Sequence, residues 1–185
     1  MTTNAESNTL DKSSVTIGLY DANRDSLEEI TLLLHRAYAV LAEMGFNYVA
    51  ATQSSLVTQE RLNAGIAYTA RINEQIVGTI TYYSTTPKTP EEPDYYKRIE
   101  VAHFGQFAVL PEMQNLGIGN NLVELVESVA LSEGKHEIAC DTAEGATDLI
   151  EYYKRRGYRP IGYQQWGHAC YRSILLSKSL ASRPQ

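Results

Sequence analysis

A loop with two glycines constrains this chain more than any other segment. Residues 111–120 follow an apolar run and precede an amphipathic stretch, so they predict a strand, a glycine loop and a helix. Gly117 and Gly119 allow a tight turn, and the N–H groups at the start of a helix attract anions. The loop is therefore either an ordinary turn or a site for the phosphates of a cofactor.

The spacing of the glycines disfavours two common nucleotide sites. A Walker loop ends in Gly-Lys followed by Ser or Thr, and this loop does not. A dinucleotide fold needs a third glycine at the position that Leu122 occupies. ATP and NAD sites are disfavoured, and another phosphate-bearing ligand is favoured.

A second motif follows further along the chain. It reads Tyr-Tyr-Lys-Arg-Arg-Gly-Tyr over residues 152–158. Together with Gln-x-x-Gly-x-Gly from Gln114, with Asn47-Tyr48 and with the runs 104–109 and 141–143, it resembles one bacterial branch of the GNAT superfamily of acyl-CoA-dependent N-acyltransferases. The resemblance covers residues 14–180.

The resemblance implies acetyl-CoA as co-substrate and no metal. The backbone of the strand would pair with the pantetheine amides, the loop would hold the pyrophosphate, and a tyrosine of the second motif would lie near the thioester sulfur. The cofactor-binding residues expected on this basis are Phe107, Ala108, Val109, Gln114, Asn115, Leu116, Gly117, Ile118, Gly119, Asn120 and Tyr153. Replacing either glycine by a bulky residue should weaken binding more than folding.

Acyl transfer to an amine needs an acid for the departing thiolate and a base for the amine. Tyr153 is the candidate acid from its place in the motif, whereas its helical spacing alone indicates a core aromatic; Tyr152 is expected to face elsewhere. Family members often carry a carboxylate on the strand before the glycine loop, and residues 104–109 contain none. Glu100 and His103, at the start of that strand, are the candidate bases, and a structural role for the histidine stays open.

Three other side chains have two interpretations each. Gln106 either binds substrate or satisfies a neighbouring backbone group. Trp166 and His168 either line the acceptor pocket or lie exposed in a turn, and for His168 the exposed turn is favoured.

Composition sets further bounds. With 185 residues, of which 43% are hydrophobic, the chain fits one domain with a proper core. A net charge of −6 disfavours a nucleic-acid partner. No apolar run approaches the ~20 residues of a membrane span and the start of the chain is polar, so a cytoplasmic protein without a membrane partner is expected. Cys140 and Cys170 match no metal spacing and are expected to be buried, reduced thiols.

Periodicity predicts the element order β-α-α-β-β-β-α-β-α-β-β. This order indicates an α/β fold with a mixed, mostly antiparallel central sheet and helices on both faces, as the GNAT resemblance also implies. Residues 1–13 and 181–185 are expected to be tails around a single domain at 14–180. Residues 85–97, with three prolines, predict a long loop that faces the substrate.

The sequence thus predicts an N-acetyltransferase that moves an acetyl group from acetyl-CoA to a primary amine of a small molecule, directly and in a ternary complex. Two alternatives stay open: a non-catalytic acyl-CoA-binding sensor or partner module, and an acetyltransferase for protein N-termini or lysines. A homodimer through the last strands also stays open.

Overall fold

The computed structural model describes residues 15–84 and 92–180, which form one seven-stranded sheet and four α-helices. The sheet order is β1-β2-β3-β4-β5-β7-β6. The strands are β1 (Thr16–Leu19), β2 (Ile66–Ile72), β3 (Gln75–Tyr83), β4 (Val101–Val109), β5 (Glu137–Ala143), β6 (Arg159–Gln165) and β7 (Arg172–Ser179). The helices are α1 (Leu27–Glu43), α2 (Ser55–Asn63), α3 (Ile118–Ser132) and α4 (Thr147–Arg155).

The sheet is mixed and mostly antiparallel, as predicted. Within it, β4 and β5 run parallel, whereas the other neighbouring strands pair antiparallel. Helix α3 covers the face that Gly78, Tyr82 and Phe104 share, and α4 lies on the same face. Helices α1 and α2 cover the opposite face, so the core fills both sides of the sheet.

Local sequence signals explain several element boundaries. Asn73 and Glu74 adopt positive φ values of 47° and 68°, which gives the tight β2–β3 hairpin. Ser26 caps α1 by accepting a hydrogen bond from the Glu29 N–H at 3.2 Å. The Glu29 carboxylate does not form a capping box with Ser26, because it accepts the N–H of Ile76 at 2.9 Å instead.

Some expectations concern residues outside the described ranges. These are the two tails and residues 85–91 of the long loop. The end of that loop is described, and Tyr96 there is only 3% exposed. One expectation was wrong: Cys140 is buried but Cys170 is exposed, because Cys170 lies in the connection between β6 and β7 rather than in a strand. Among the described residues, no helix is both long and apolar enough to cross a membrane.

Candidate active site

The sheet divides between its two parallel strands. Strands β4 and β5 pair only from Val101–Glu137 to His103–Ala139. Beyond that point β4 continues beside β3, and β5 continues beside β7, so the two facing edges carry no pairing with each other. We call this opening between residues 104–109 and 140–143 the strand split. It presents backbone N–H and C=O groups that an extended ligand can pair with.

A β-bulge shapes the β4 side of the strand split. Thr79 and Thr81 of β3 pair with Ala108 and Gly105, so β4 holds one extra residue in this interval. Gln106 lies there with φ of 48° and is 7% exposed. Its Oε1 accepts a hydrogen bond from Gln53 Nε2 at 2.9 Å, so the Gln106 side chain stabilises the bulge from within the protein.

The glycine loop delivers an uncapped helix N-terminus next to the strand split. Helices α1 and α2 begin with capping serines, but α3 begins after Gly117 without a side-chain cap. Gly117 has a φ of 87°, and its first helical hydrogen bond runs from the Asn121 N–H to the Gly117 carbonyl. The N–H groups of the first turn and the positive end of the helix dipole are therefore available to an anion.

Tyr152 points to the start of α3. Its ring stacks on Phe107 at a centroid distance of 6.2 Å. A Cβ at Gly119 would lie 3.2 Å from Phe107 Cζ and 3.6 Å from Tyr152 Oη, so any larger residue would crowd the Phe107 ring. The Tyr152 Oη is buried without a hydrogen-bond partner among the described residues. Tyr152 thus faces other surroundings than Tyr153, and its place beside the glycine loop was not predicted.

Tyr153 lies at the base of the strand split, on the side of α3 and α4. It is 4% exposed, its ring packs against Phe104 at 6.0 Å, and its hydroxyl lies near the Cys140 thiol. Burial raises the pKa of Tyr153 well above its usual range. The phenol is therefore protonated at neutral pH and can donate a hydrogen bond or a proton.

The two candidate bases lie before the strand split. Glu100 precedes β4, where its own backbone N–H and Arg98 lower the pKa of its carboxyl. The His103 ring stacks between Tyr83 and Tyr96, at centroid distances of 4.8 and 4.4 Å. Burial lowers the pKa of His103 to about 4, so the imidazole is neutral at pH 7. His103 belongs to the last β4–β5 pair, and its ring lies on the side of the sheet that α1 and α2 cover.

Asp141 is a carboxylate at the strand split that the sequence analysis did not single out as a site residue. It lies on β5 two residues beyond the last pair, and its Oδ2 accepts Trp166 Nε1–H at 3.1 Å. Its Oδ1 accepts the Tyr96 hydroxyl at 3.3 Å. Burial raises the pKa of Asp141, although these hydrogen bonds partly oppose the rise. The sequence signal was an acidic residue inside an otherwise buried strand.

Two tyrosines bridge from the α1 side to the edges of the strand split. Tyr38 Oη donates to the Phe107 carbonyl of β4 at 3.1 Å. Tyr48 Oη accepts the Ala143 N–H of β5 at 2.7 Å. The two rings lie 5.2 Å apart, so they form an aromatic wall across the opening.

Two loops meet beside this wall. Asn47, between α1 and α2, donates to the His168 carbonyl at 2.9 Å and accepts the Cys170 N–H at 2.7 Å. A cavity of about 460 Å³ adjoins the contact. It is lined by Ala42, Gly45, Phe46, Asn47, Tyr48, Val49, Ala51, Thr52 and His168. His168 is exposed, as favoured from the sequence, and Trp166 is half-buried.

Known proteins are similar to this chain in sequence and in fold. The model of the acetyltransferase (GNAT) family matches residues 27–158. The S-(2-succino)cysteine N-acetyltransferase of Bacillus subtilis is 28% identical over 149 residues, which cover 80% of this chain and 85% of that protein.

Two solved structures share the fold at low identity. A GNAT family acetyltransferase from Elizabethkingia anophelis with acetyl-CoA bound has a TM-score of 0.62 and 20% identity, over 90% of this chain and 98% of that one. The ribosomal-protein-S18-alanine N-acetyltransferase from Escherichia coli has a TM-score of 0.67 and 12% identity, over 92% and 97%. Because the family match spans well over half of the chain, the protein belongs to the acetyltransferase (GNAT) family and is an N-acetyltransferase.

Proposed function

We propose that this protein transfers the acetyl group of acetyl-CoA to a primary amine of a small molecule, directly and in a ternary complex. The observation that carries the proposal is the strand split beside the uncapped start of α3. A thioester with an extended arm and a diphosphate needs both a strand edge and an anion site. The strand split offers such an edge, and the start of α3 beside it offers N–H groups for an anion.

The proposed acetyl-CoA residues fit this ligand. The unpaired β4 edge at Phe107, Ala108 and Val109 would hold the pantetheine arm, and the loop from Gln114 through Asn120 would hold the diphosphate. The buried, unpartnered Tyr152 Oη is an additional donor beside this loop. An unsatisfied buried hydroxyl costs roughly 1–3 kcal/mol, which a ligand acceptor would recover.

Tyr153 is the proposed acid for the departing thiolate. A tyrosine phenol is protonated at neutral pH, and this one lies beside Cys140 at the base of the strand split. We expect Tyr153→Phe to lower turnover by about tenfold or more while the affinity for acetyl-CoA is retained. Steady-state kinetics and calorimetry on the same preparation measure the two quantities. Unchanged turnover would remove this role.

His103 and Glu100 differ in how well their positions suit a base. The pKa of His103 leaves it neutral, and its ring lies at the last β4–β5 pair. Glu100 lies further from the strand split and is ion-paired with Arg98 at 2.5 Å. Of the two, the geometry therefore favours His103, and Glu100→Gln should leave turnover nearly unchanged.

The contact between the two loops favours a small acceptor. Asn47 holds the α1–α2 connection against the β6–β7 connection, which narrows the approach to the strand split on that side. A protein tail would need an open groove. S-(2-succino)cysteine, the substrate in the name of the B. subtilis relative, is the first acceptor to test.

The test is release of free thiol from acetyl-CoA by the purified protein with a panel of amines. The panel contains S-(2-succino)cysteine, other amino acids, polyamines, aminoglycosides and peptides, with Tyr153→Phe as control. Tyr153-dependent release with a small amine supports the proposal. Release only with peptides supports protein acetylation. Silence with every amine, while acetyl-CoA still raises the melting temperature, supports a sensor.

A further inference from the structure

We propose that Asp141 is the general base of this enzyme and binds the acceptor as an ammonium ion. The proposal rests on the acetyl-transfer function above. It assigns to β5 the carboxylate that β4 lacks between residues 104 and 109.

The position of Asp141 is the first argument. Adjacent residues of a strand point to opposite faces, so Cys140 and Asp141 lie on opposite sides of β5 at the strand split. Cys140 contacts Tyr153 on the α3 and α4 side. Asp141 faces Tyr96 and Trp166 on the other side. In this proposal Tyr153, the acid, lies on the side of the departing thiol. Asp141, the base, lies on the side of the attacking amine.

The space opposite Asp141 is the second argument. Two residues beyond the last β4–β5 pair, the strands carry Gly105 and Asp141. Gly105 adds no side chain to the opening, and the β-bulge of β4 follows it directly. An amine nitrogen between the carboxylate and the bulge would displace no side chain of β4, and the Tyr83 ring, 3.4 Å from where a Gly105 Cβ would lie, would line its approach.

The electrostatic surroundings of Asp141 are the third argument. The titratable groups that face it come from α1, the α1–α2 connection, the segment before β4, β5 itself and the β6–β7 connection. They are Tyr38, Tyr48, Tyr96, Cys140, His168 and Tyr171. Burial raises the pKa of each of these tyrosines and of Cys140, so these five side chains are neutral at pH 7. A carboxylate among neutral aromatic side chains favours a cationic ligand.

The proton balance is simple. The Asp141 carboxylate accepts one proton from R–NH₃⁺, and the free amine adds to the thioester carbonyl carbon. The C–S bond then breaks and the thiolate takes the Tyr153 proton. The nitrogen then carries one proton more than it has in the amide product. It transfers this proton to the Tyr153 phenolate and so restores the phenol. Asp141 gives its proton to water, so one proton is released for each acetyl group transferred.

The hydrogen bond from Trp166 positions this carboxylate and sets its pKa. Trp166 Nε1–H stabilises the ionised form of Asp141 and so lowers the pKa that burial raises. A base acts only when it is deprotonated. The rate of the wild-type enzyme should therefore fall as the pH drops through the raised pKa of Asp141.

The experiment measures kcat/KM against pH for the wild type, Asp141→Asn and Trp166→Phe, with the panel amine of highest turnover. Glu144→Gln is the matched control, because Glu144 is an exposed carboxylate three residues further on that pairs with Arg172. We expect Asp141→Asn to lose about 10²–10⁴-fold in kcat at pH 7 with unchanged acetyl-CoA affinity. Its remaining rate should rise steadily with pH, as the fraction of free amine rises.

Trp166→Phe keeps the carboxylate and should move the acidic limb of the profile to higher pH. If Asp141→Asn does not fold, the pH profile of Trp166→Phe still tests whether Asp141 is the general base. Carbon-13 NMR of the carboxyl groups adds a readout that needs no acceptor: Asp141 should titrate above the ordinary aspartate range, and further above it in Trp166→Phe. An acidic limb that is the same in all folded variants would overturn the proposal, whereas a wild type inactive with all amines would overturn the proposed function instead.

Discussion

Tyr152 and Tyr153 are neighbours on one short helix and reach different surroundings. Tyr153 turns into the core and contacts Cys140, whereas Tyr152 stacks on Phe107 beside the glycine loop. The motif predicts that Tyr153 lies near the thioester sulfur. It did not predict the place of Tyr152, because the approach of Phe107 and Tyr152 to α3 involves Gly119, which is far from both in sequence.

Tyr152→Phe tests the role of the buried hydroxyl. Burial raises the pKa of Tyr152 to about 12, so the hydroxyl is a donor at neutral pH. If it donates to acetyl-CoA, its loss should raise KM for acetyl-CoA by about fivefold to tenfold, the value of one hydrogen bond, with kcat unchanged. Steady-state kinetics at saturating acceptor measure this. A lower kcat with the same KM would assign Tyr152 to the chemical step instead.

Asp141 shows the limit of reading residues one at a time. The sequence analysis sought a base on the strand before the glycine loop and found Glu100 and His103. The neighbouring strand β5 carries the carboxylate at the strand split, and only the parallel register of β4 and β5 brings it there. That register is a property of the fold.

At the scale of elements, α3 shows how a glycine loop can start a helix without a side-chain cap. Gly117 at its start and Gly134 just after its end both have positive φ. The absence of a serine cap like those of α1 and α2 leaves the first-turn N–H groups to a ligand. These boundaries were predictable because caps and glycines are local signals.

Asn120→Asp separates the folding of α3 from binding. A negative charge in the first turn favours the helix dipole, by about 0.3–1 kcal/mol, so the melting temperature should stay equal or rise. The same charge repels a diphosphate, and we expect the Kd for acetyl-CoA to rise by about tenfold or more. Melting curves and calorimetry measure the two effects.

The matched control is Ser55→Asp, which places the same charge in the first turn of α2. It should leave the Kd for acetyl-CoA unchanged. Equal weakening in both variants would mean that net charge, and not the start of α3, determines binding. A substitution of Gly119 tests this less cleanly, because an added side chain also crowds Phe107.

At the scale of the whole molecule, the acceptor side is built from segments far apart in the sequence. Asn47 holds the β6–β7 connection through His168 and Cys170, and Tyr96 reaches Asp141 from the segment before β4. The mixed sheet and its element order were predictable from periodicity. These long-range contacts were not, because no local pattern specifies which loops meet.

Asn47→Ala tests whether the contact between these loops shapes the acceptor site. Its loss removes two hydrogen bonds to the β6–β7 connection, so we expect the KM for the acceptor to rise several-fold and the affinity for acetyl-CoA to persist. Asn63→Ala, an exposed asparagine at the end of α2, is the control. If the KM for the acceptor is unchanged in Asn47→Ala, the hydrogen bonds of Asn47 do not shape the acceptor site.

We propose that acetyl-CoA binds in the strand split against the start of α3. Amide hydrogen exchange followed by mass spectrometry tests this placement, without acetyl-CoA and with acetyl-CoA at a concentration near its wild-type Kd. We predict slower exchange in peptides that cover residues 107–110 and 115–121, no change at the β2–β3 turn, and much weaker protection in Asn120→Asp. Protection confined to other peptides, or equal protection in Asn120→Asp, would contradict the claim.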